Sequence, residues 1–211
     1  MAASPWPKLQ RDLIAILRGI TPQETHDIVS MLIDCGIEAI EIPLNSPDPW
    51  HSIETAVKIA GGQCLIGAGT VLTLSDADRL ASIGGRLMVS PNVDIPVISR
   101  GAQHAMVVMP GVFTASEALA ALSAGASGLK FFPAFALGPA ALAAIRAILP
   151  QGVVMAAVGG VAEGNFADYA RYGISAFGLG TSLYRPGAAA AETGRRAKAT
   201  LAAYDRAFAT G

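Results

Sequence analysis

The sequence predicts a single (β/α)8 TIM-type barrel, an α/β fold with residues 1–211 in one domain. Three observations predict it. Eight short apolar runs alternate with helical segments from end to end. The runs recur every roughly 20 to 28 residues, which leaves room for a crossover helix each time. No Pro/Ser-rich linker, charge block or low-complexity tail divides the chain. Parallel strands covered on both faces read as continuous apolar runs, and eight of them joined by helices close on themselves. An open doubly wound sheet is the other architecture this alternation permits.

Taken in order, the runs are Leu13 to Leu17, Ile37 to Ile42, Cys64 to Ala68, Leu87 to Ser90, Ala105 to Met109, Ser127 to Phe131, Val153 to Val158 and Ile174 to Leu179. The first helix opens on Thr21-Pro22-Gln23-Glu24, a capping box with proline at the first helical position. Thr114-Ala115-Ser116-Glu117 is a second capping box. Gly36, Gly61-Gly62, Gly84-Gly85, Gly125 and Gly173 each follow a helical pattern, where a left-handed closing residue is wanted. A helix starting near Pro139 is stopped by Pro150, and the last helix begins near Ala188 to Ala191.

Composition narrows the function. The chain is 52% hydrophobic and 15% charged, which fits a doubly covered sheet or a surface partly hidden in an oligomer. A net charge of -1 provides no basic field for nucleic acid or an anionic membrane. The uncharged stretch from Phe131 to Ile145 is interrupted by Pro133, Gly138 and Pro139, and it is shorter than the ~20 residues of a spanning helix. Met1 to Pro7 lacks the basic region and apolar core of a signal peptide, so a cytoplasmic location is expected. Cys35 and Cys64 have no metal-ligand spacing and are expected as buried thiols.

In a parallel barrel the strand C-termini converge on one face, so reactive groups are sought there. The strand ends carry Arg18-Gly19, Glu41 to Asn45, Gly67 to Thr70, Ser90-Pro91-Asn92, Pro110-Gly111, Lys130 to Pro133, Gly159-Gly160 and Gly178 to Thr181. Arg18, Glu41, Thr70 and Lys130 are therefore expected at one mouth.

Among Lys8, Lys58, Lys130 and Lys198, only Lys130 is set in an apolar strand, Ser127 to Phe132. An ammonium buried there is costly unless paired or neutralised. One reading is a lysine that snorkels to water or pairs with an acid. The other is a reactive amine, whose neutral form desolvation favours for attack on a carbonyl. Moving its pKa from ~10.4 to ~7 corresponds to roughly 4–5 kcal/mol. Glu41 shares a strand face with Ala39 by alternation. It either neutralises Arg18 or Lys130, or acts as a general acid/base beside a lysine adduct.

Gly159-Gly160 and Gly180-Thr181-Ser182 follow the last two strands, the recurrent phosphate position of this architecture; tight turns alone also use such glycines. His26, His51 and His104 fall in helical contexts away from any acid cluster, so no metal site is expected.

Arg18, Glu41, Thr70, Lys130 and Gly159-Gly160 together carry a resemblance. The chain resembles the aldolases of the 2-keto-3-deoxy-6-phosphogluconate / 4-hydroxy-2-oxoglutarate family over nearly its whole length. The matching pieces include Ile14 to Gly19, Glu41 to Pro47, Ile66 to Val71, Lys130 to Pro133 and Gly178 to Gly180. The resemblance implies a metal-independent Schiff-base aldolase without a cofactor, commonly a homotrimer. It implies Lys130 as the amine and Glu41 as the acid/base. Arg18, Thr70, Pro91, Val158, Gly159, Gly160, Gly180 and Thr181 would contact substrate.

Within the family the chain is more similar to the 2-dehydro-3-deoxy-6-phosphogalactonate branch. Asn45 stands where gluconate-type members carry arginine, and Val158 where they tend to carry threonine before Gly-Gly. A threonine hydroxyl can bond a substrate hydroxyl and valine cannot, which bears on the C4 epimer. Thr181 replaces a serine common in the branch and keeps the hydroxyl. The expected reaction is cleavage of a phosphorylated keto-deoxy sugar acid to pyruvate and glyceraldehyde 3-phosphate. The gluconate epimer and 4-hydroxy-2-oxoglutarate are alternative substrates. A phosphosugar isomerase or binding barrel, with Lys130 only a charge clamp, is the alternative of another class.

Overall fold

Nine strands, all parallel, surround one axis in a computed structural model that describes residues 4–209. They are β1 (Leu13–Ile16), β2 (Ala39–Pro43), β3 (Leu65–Gly69), β4 (Leu87–Val89), β5 (Val107–Met109), β6 (Gly111–Val112), β7 (Gly128–Phe131), β8 (Val154–Val158) and β9 (Ala176–Leu179). The helices are α1 (Pro22–Cys35), α2 (Pro49–Ala60), α3 (Leu74–Ser82), α4 (Ile95–Gln103), α5 (Ala115–Ser123), α6 (Ala134–Arg146), α7 (Phe166–Ala170) and α8 (Ala190–Phe208). Hydrogen-bonded order runs β5-β4-β3-β2-β1-β9-β8-β7-β6.

The expected eight strands become nine because pairing resumes beyond the fifth run: that run ends at Met109, and after Pro110 the residues Gly111–Val112 form a further short strand. Proline has no N–H to give to a ladder. The two strands still close the barrel: Ser127 N–H reaches the Val108 carbonyl at 2.8 Å and Lys130 N–H reaches the Pro110 carbonyl at 2.9 Å. The doubly wound alternative is thereby displaced.

Three strands start two residues later than their apolar runs. Ile37, Met106 and Ile174 donate back to Leu32, Gly101 and Tyr169 at 3.0, 3.1 and 3.1 Å. These apolar residues close the preceding helix before the strand begins. Thr21 N–H and Thr114 N–H each donate to the glutamate three residues on, at 3.0 and 2.8 Å, as their capping boxes require. Helix α6 is two pieces kinked at Gly138 (φ 72), and the second piece opens at Pro139.

Alternation along the strands builds two cores. Outward-facing residues such as Leu13, Ile40, Ile66, Phe131 and Phe177 pack under the helices. Inward-facing Ile14, Ala39, Leu65, Leu87, Val107, Ala156 and Ala176 fill the barrel. Trp6 and Leu9 pack on that inner cluster ahead of β1, and the Trp6 indole N–H donates to Asp12 at 2.8 Å. Among the described residues the lower barrel is filled by apolar side chains, and polar side chains gather at its upper, C-terminal end.

Candidate active site

The upper layer is where polar side chains replace the apolar filling. Glu41 lies two residues beyond Ala39 on β2, and Lys130 two beyond Gly128 on β7, so both point inward. One cavity of about 720 Å3 opens above them. It is lined by all ten residues expected from sequence: Arg18, Glu41, Thr70, Pro91, Lys130, Val158, Gly159, Gly160, Gly180 and Thr181.

Glu41 is 3% exposed and Lys130 is 9% exposed. Burial pushes the Glu41 carboxyl up to about 7, against the opposing pull of Lys130 and Arg18. Burial brings the Lys130 ammonium down to about 8; Glu41 opposes that shift and Arg18 adds to it. A neutral amine is thus accessible near physiological pH, next to a carboxyl that can take or give a proton. No direct salt bridge among the described residues includes Glu41 and its Oε2 has no hydrogen-bond partner, while Lys130 and Arg18 both favour its charged form, so a proton-transfer role and a charge-balancing role share this position.

Gly69 makes room for that carboxylate. A Cβ at position 69 would lie 2.0 Å from Glu41 Oε2. Gly67 is required for a different reason: a Cβ there would meet the Leu87 carbonyl oxygen at 1.7 Å. Thr70, the next residue at the mouth, is held at φ 57, a left-handed conformation that a β-branched residue adopts only under strain.

The opposite rim is built from glycine. Gly159 and Gly160 have φ of 90 and 76, which turns the chain sharply after β8. Beyond β9, Leu183 and Tyr184 both donate to the Gly180 carbonyl at 2.9 Å. This winds 180–184 into one turn whose opening residues, Thr181 and Ser182, line the cavity. Early amides of such a turn lack intra-turn partners and suit an anion.

The sequence pattern shared by KDPG and KHG aldolases matches residues 8–195. The chain belongs to this family. A protein of Rhizobium meliloti (strain 1021) named "Probable 2-dehydro-3-deoxy-6-phosphogalactonate aldolase" is 63% identical, over 97% of this chain and 96% of its own. The "2-dehydro-3-deoxy-6-phosphogalactonate aldolase" of Escherichia coli (strain K12) is 47% identical, over 91% and 94%. A solved structure named "Native KDPGal structure" superposes with a TM-score of 0.93 at 45% identity, covering 96% of this chain and 98% of that one.

Further side chains of this aldolase reach the cavity without having been expected from sequence. Ile16, Phe132, Tyr184 and Arg185 line it, and Ser182, expected with the glycine turn after the last strand, lies there as well. Lys130 Nζ sits 5.3 Å from the Phe132 ring centroid, so an aromatic face borders the amine. Phe132 was within the Lys-Phe-Phe-Pro piece, and its position after an inward lysine was the available signal. Arg185 had no such signal, because its place depends on the turn that precedes it. Arg18 Nη1 donates to Asn45 Oδ1 at 2.6 Å. The asparagine therefore orients the guanidinium, where an arginine would repel it. Among the described residues no three His, Cys, Asp or Glu side chains come together as a metal site.

Proposed function

We propose that this aldolase cleaves 2-dehydro-3-deoxy-6-phosphogalactonate reversibly to pyruvate and D-glyceraldehyde 3-phosphate, through an imine on Lys130. The observation that carries the proposal is the buried Lys130 beside a buried Glu41, whose Oε2 has no hydrogen-bond partner, at a mouth rimmed by two glycine turns. The names of the two protein relatives support the substrate.

The neutral Lys130 amine adds to the C2 carbonyl, and loss of water gives an iminium ion. Glu41, through a water, removes the C4 hydroxyl proton. The C3–C4 bond breaks; its electrons pass into the iminium to give an enamine, and C4 leaves as the aldehyde of glyceraldehyde 3-phosphate. Protonation at C3 and hydrolysis return pyruvate and the free amine. Thr70 holds the pyruvyl carboxylate, Arg18 meets a substrate anion, and Pro91 walls the site. Gly159, Gly160, Gly180 and Thr181 hold the phosphate. Val158 faces C4 with no hydroxyl to offer, which favours the galactonate epimer.

Retro-aldol kinetics with both epimers, coupled to pyruvate detection, tests the substrate. The galactonate epimer is expected to have the higher kcat/KM, and Val158→Thr is expected to raise the gluconate-to-galactonate ratio roughly tenfold. A strong gluconate preference in the wild type overturns this assignment. Lys130→Arg keeps the charge but cannot form an imine, so its turnover is expected at background.

A homotrimer in the cytoplasm belongs to the same proposal. Phe135, 72% exposed, and Ile148, 55% exposed, are apolar surface that an assembly would cover. Both described cysteines are free, as reducing surroundings keep them. Light scattering on eluted protein at about three times the chain mass is the expected result.

A further inference from the structure

Glu24 opens α1 on the first capping box, yet it does more than cap. Its Oε2 accepts from Thr21 N–H at 3.0 Å and from Thr21 Oγ1–H at 2.6 Å. Its Oε1 turns the other way. It accepts from Gly187 N–H at 2.7 Å and from the Tyr184 hydroxyl at 3.4 Å. One carboxylate therefore joins the β1–α1 loop to the segment after β9, more than 160 residues away in sequence. Partial burial works to raise its pKa, but the bonds from Thr21, Gly187 and Tyr184 outweigh it and hold the carboxyl below its ordinary value.

The segment it holds is one wall of the cavity. Gly180, Thr181, Ser182, Tyr184, Arg185 and Pro186 all line it. Gly19 lies against the same segment: a Cβ there would be 2.8 Å from Pro186 Cγ. The carboxylate thus ties residues 184–187 to the β1–α1 loop, and the missing side chain of Gly19 leaves Pro186 room to lie against that loop. Capping alone requires only the Thr21 side of Glu24.

We infer that Glu24 is a positioning residue for phosphate recognition, holding the 180–187 segment so that its turn and Arg185 meet the phosphate of the substrate. This rests on the phosphate end proposed above. Glu24 acts through Gly187 and Tyr184 and touches no reacting atom. A glutamine at position 24 has only one acceptor oxygen, so its amide nitrogen meets either Thr21 N–H or Gly187 N–H donor to donor.

The test separates the two ends of the substrate. Pyruvate methyl exchange in heavy water reads imine and enamine formation on Lys130 without any phosphate. Addition of pyruvate to D-glyceraldehyde 3-phosphate, against addition to D-glyceraldehyde, reads the phosphate end. For Glu24→Gln the ratio of kcat/KM for the phosphorylated over the plain aldehyde is expected to fall roughly tenfold, through KM, with exchange within about twofold of wild type. Glu24→Asp, which keeps both acceptors on a shorter stem, recovers part of the ratio. Tyr184→Phe removes one donor and lowers the ratio by less; it also serves if the glutamine variant does not fold. An unchanged ratio overturns the inference, and so does a fall matched by the exchange rate. Wild-type protein without pyruvate exchange would instead overturn the imine mechanism, a separate failure.

Discussion

Replacing Gly69 with alanine tests whether the placement of Glu41 matters as much as its presence. Gly69 has no left-handed φ, so alanine meets no backbone penalty there. The penalty is steric: the new methyl would lie 2.0 Å from Oε2, 2.4 Å from Cδ and 2.6 Å from Oε1 of Glu41. Restoring ordinary contact moves the carboxylate by more than an ångström. Glu41 borders the cavity and its Oε2 has no hydrogen bond to resist the push, so the side chain itself takes up the displacement. Overpacking of this kind costs about 1–3 kcal/mol of stability. A misplacement of about 1 Å in a catalytic group costs about a hundredfold in rate. Steady-state cleavage by Gly69→Ala is therefore expected to show kcat about a hundredfold below wild type, while borohydride trapping of pyruvate persists because Lys130 is untouched. Thermal denaturation checks that the variant is folded. A folded Gly69→Ala with kcat within about threefold of wild type refutes the reasoning.

Two further predictions concern charge and strain. Glu41 rises from 4.5 to about 7 on folding, so the folded state holds its proton more tightly; the stability this contributes is full below pH 4.5 and is lost as pH rises to about 7. Denaturant titrations from pH 4 to 8 are expected to show wild type losing up to ~3 kcal/mol relative to Glu41→Gln across that window; parallel curves contradict it. Thr70→Gly removes the cost of a β-branched residue at φ 57, which offsets glycine's backbone entropy of ~1 kcal/mol. Its denaturation midpoint is expected at or above that of wild type while the KM for pyruvate rises; a destabilised variant argues against the strain.

How much of this was legible in the sequence depends on which interactions are local. Glu41 and Lys130 could be placed because strand alternation is local: Ala39 and Gly128 fix the same inward face two residues earlier. The glycine turns after β8 and β9 were visible for the same reason. The short strand Gly111–Val112 beyond Pro110 was not shown by the fifth apolar run, which ends at Met109. What stayed hidden was non-local. Trp6 as the barrel floor, Arg185 on the rim and Asn45 against Arg18 follow from elements meeting across the fold. Glu24 shows the division within one side chain. Its bond to Thr21 is written in a four-residue motif, whereas its bond to Gly187 exists only once the first and last loops of the barrel are adjacent.

The most direct measurement of the central claim is borohydride reduction in the presence of pyruvate, followed by intact and peptide mass spectrometry. An imine on Lys130 predicts one added reduced pyruvyl group per chain, located on the peptide containing Lys130 and absent from Lys130→Arg. An unchanged mass, or an adduct on Lys8, Lys58 or Lys198 instead, contradicts the account.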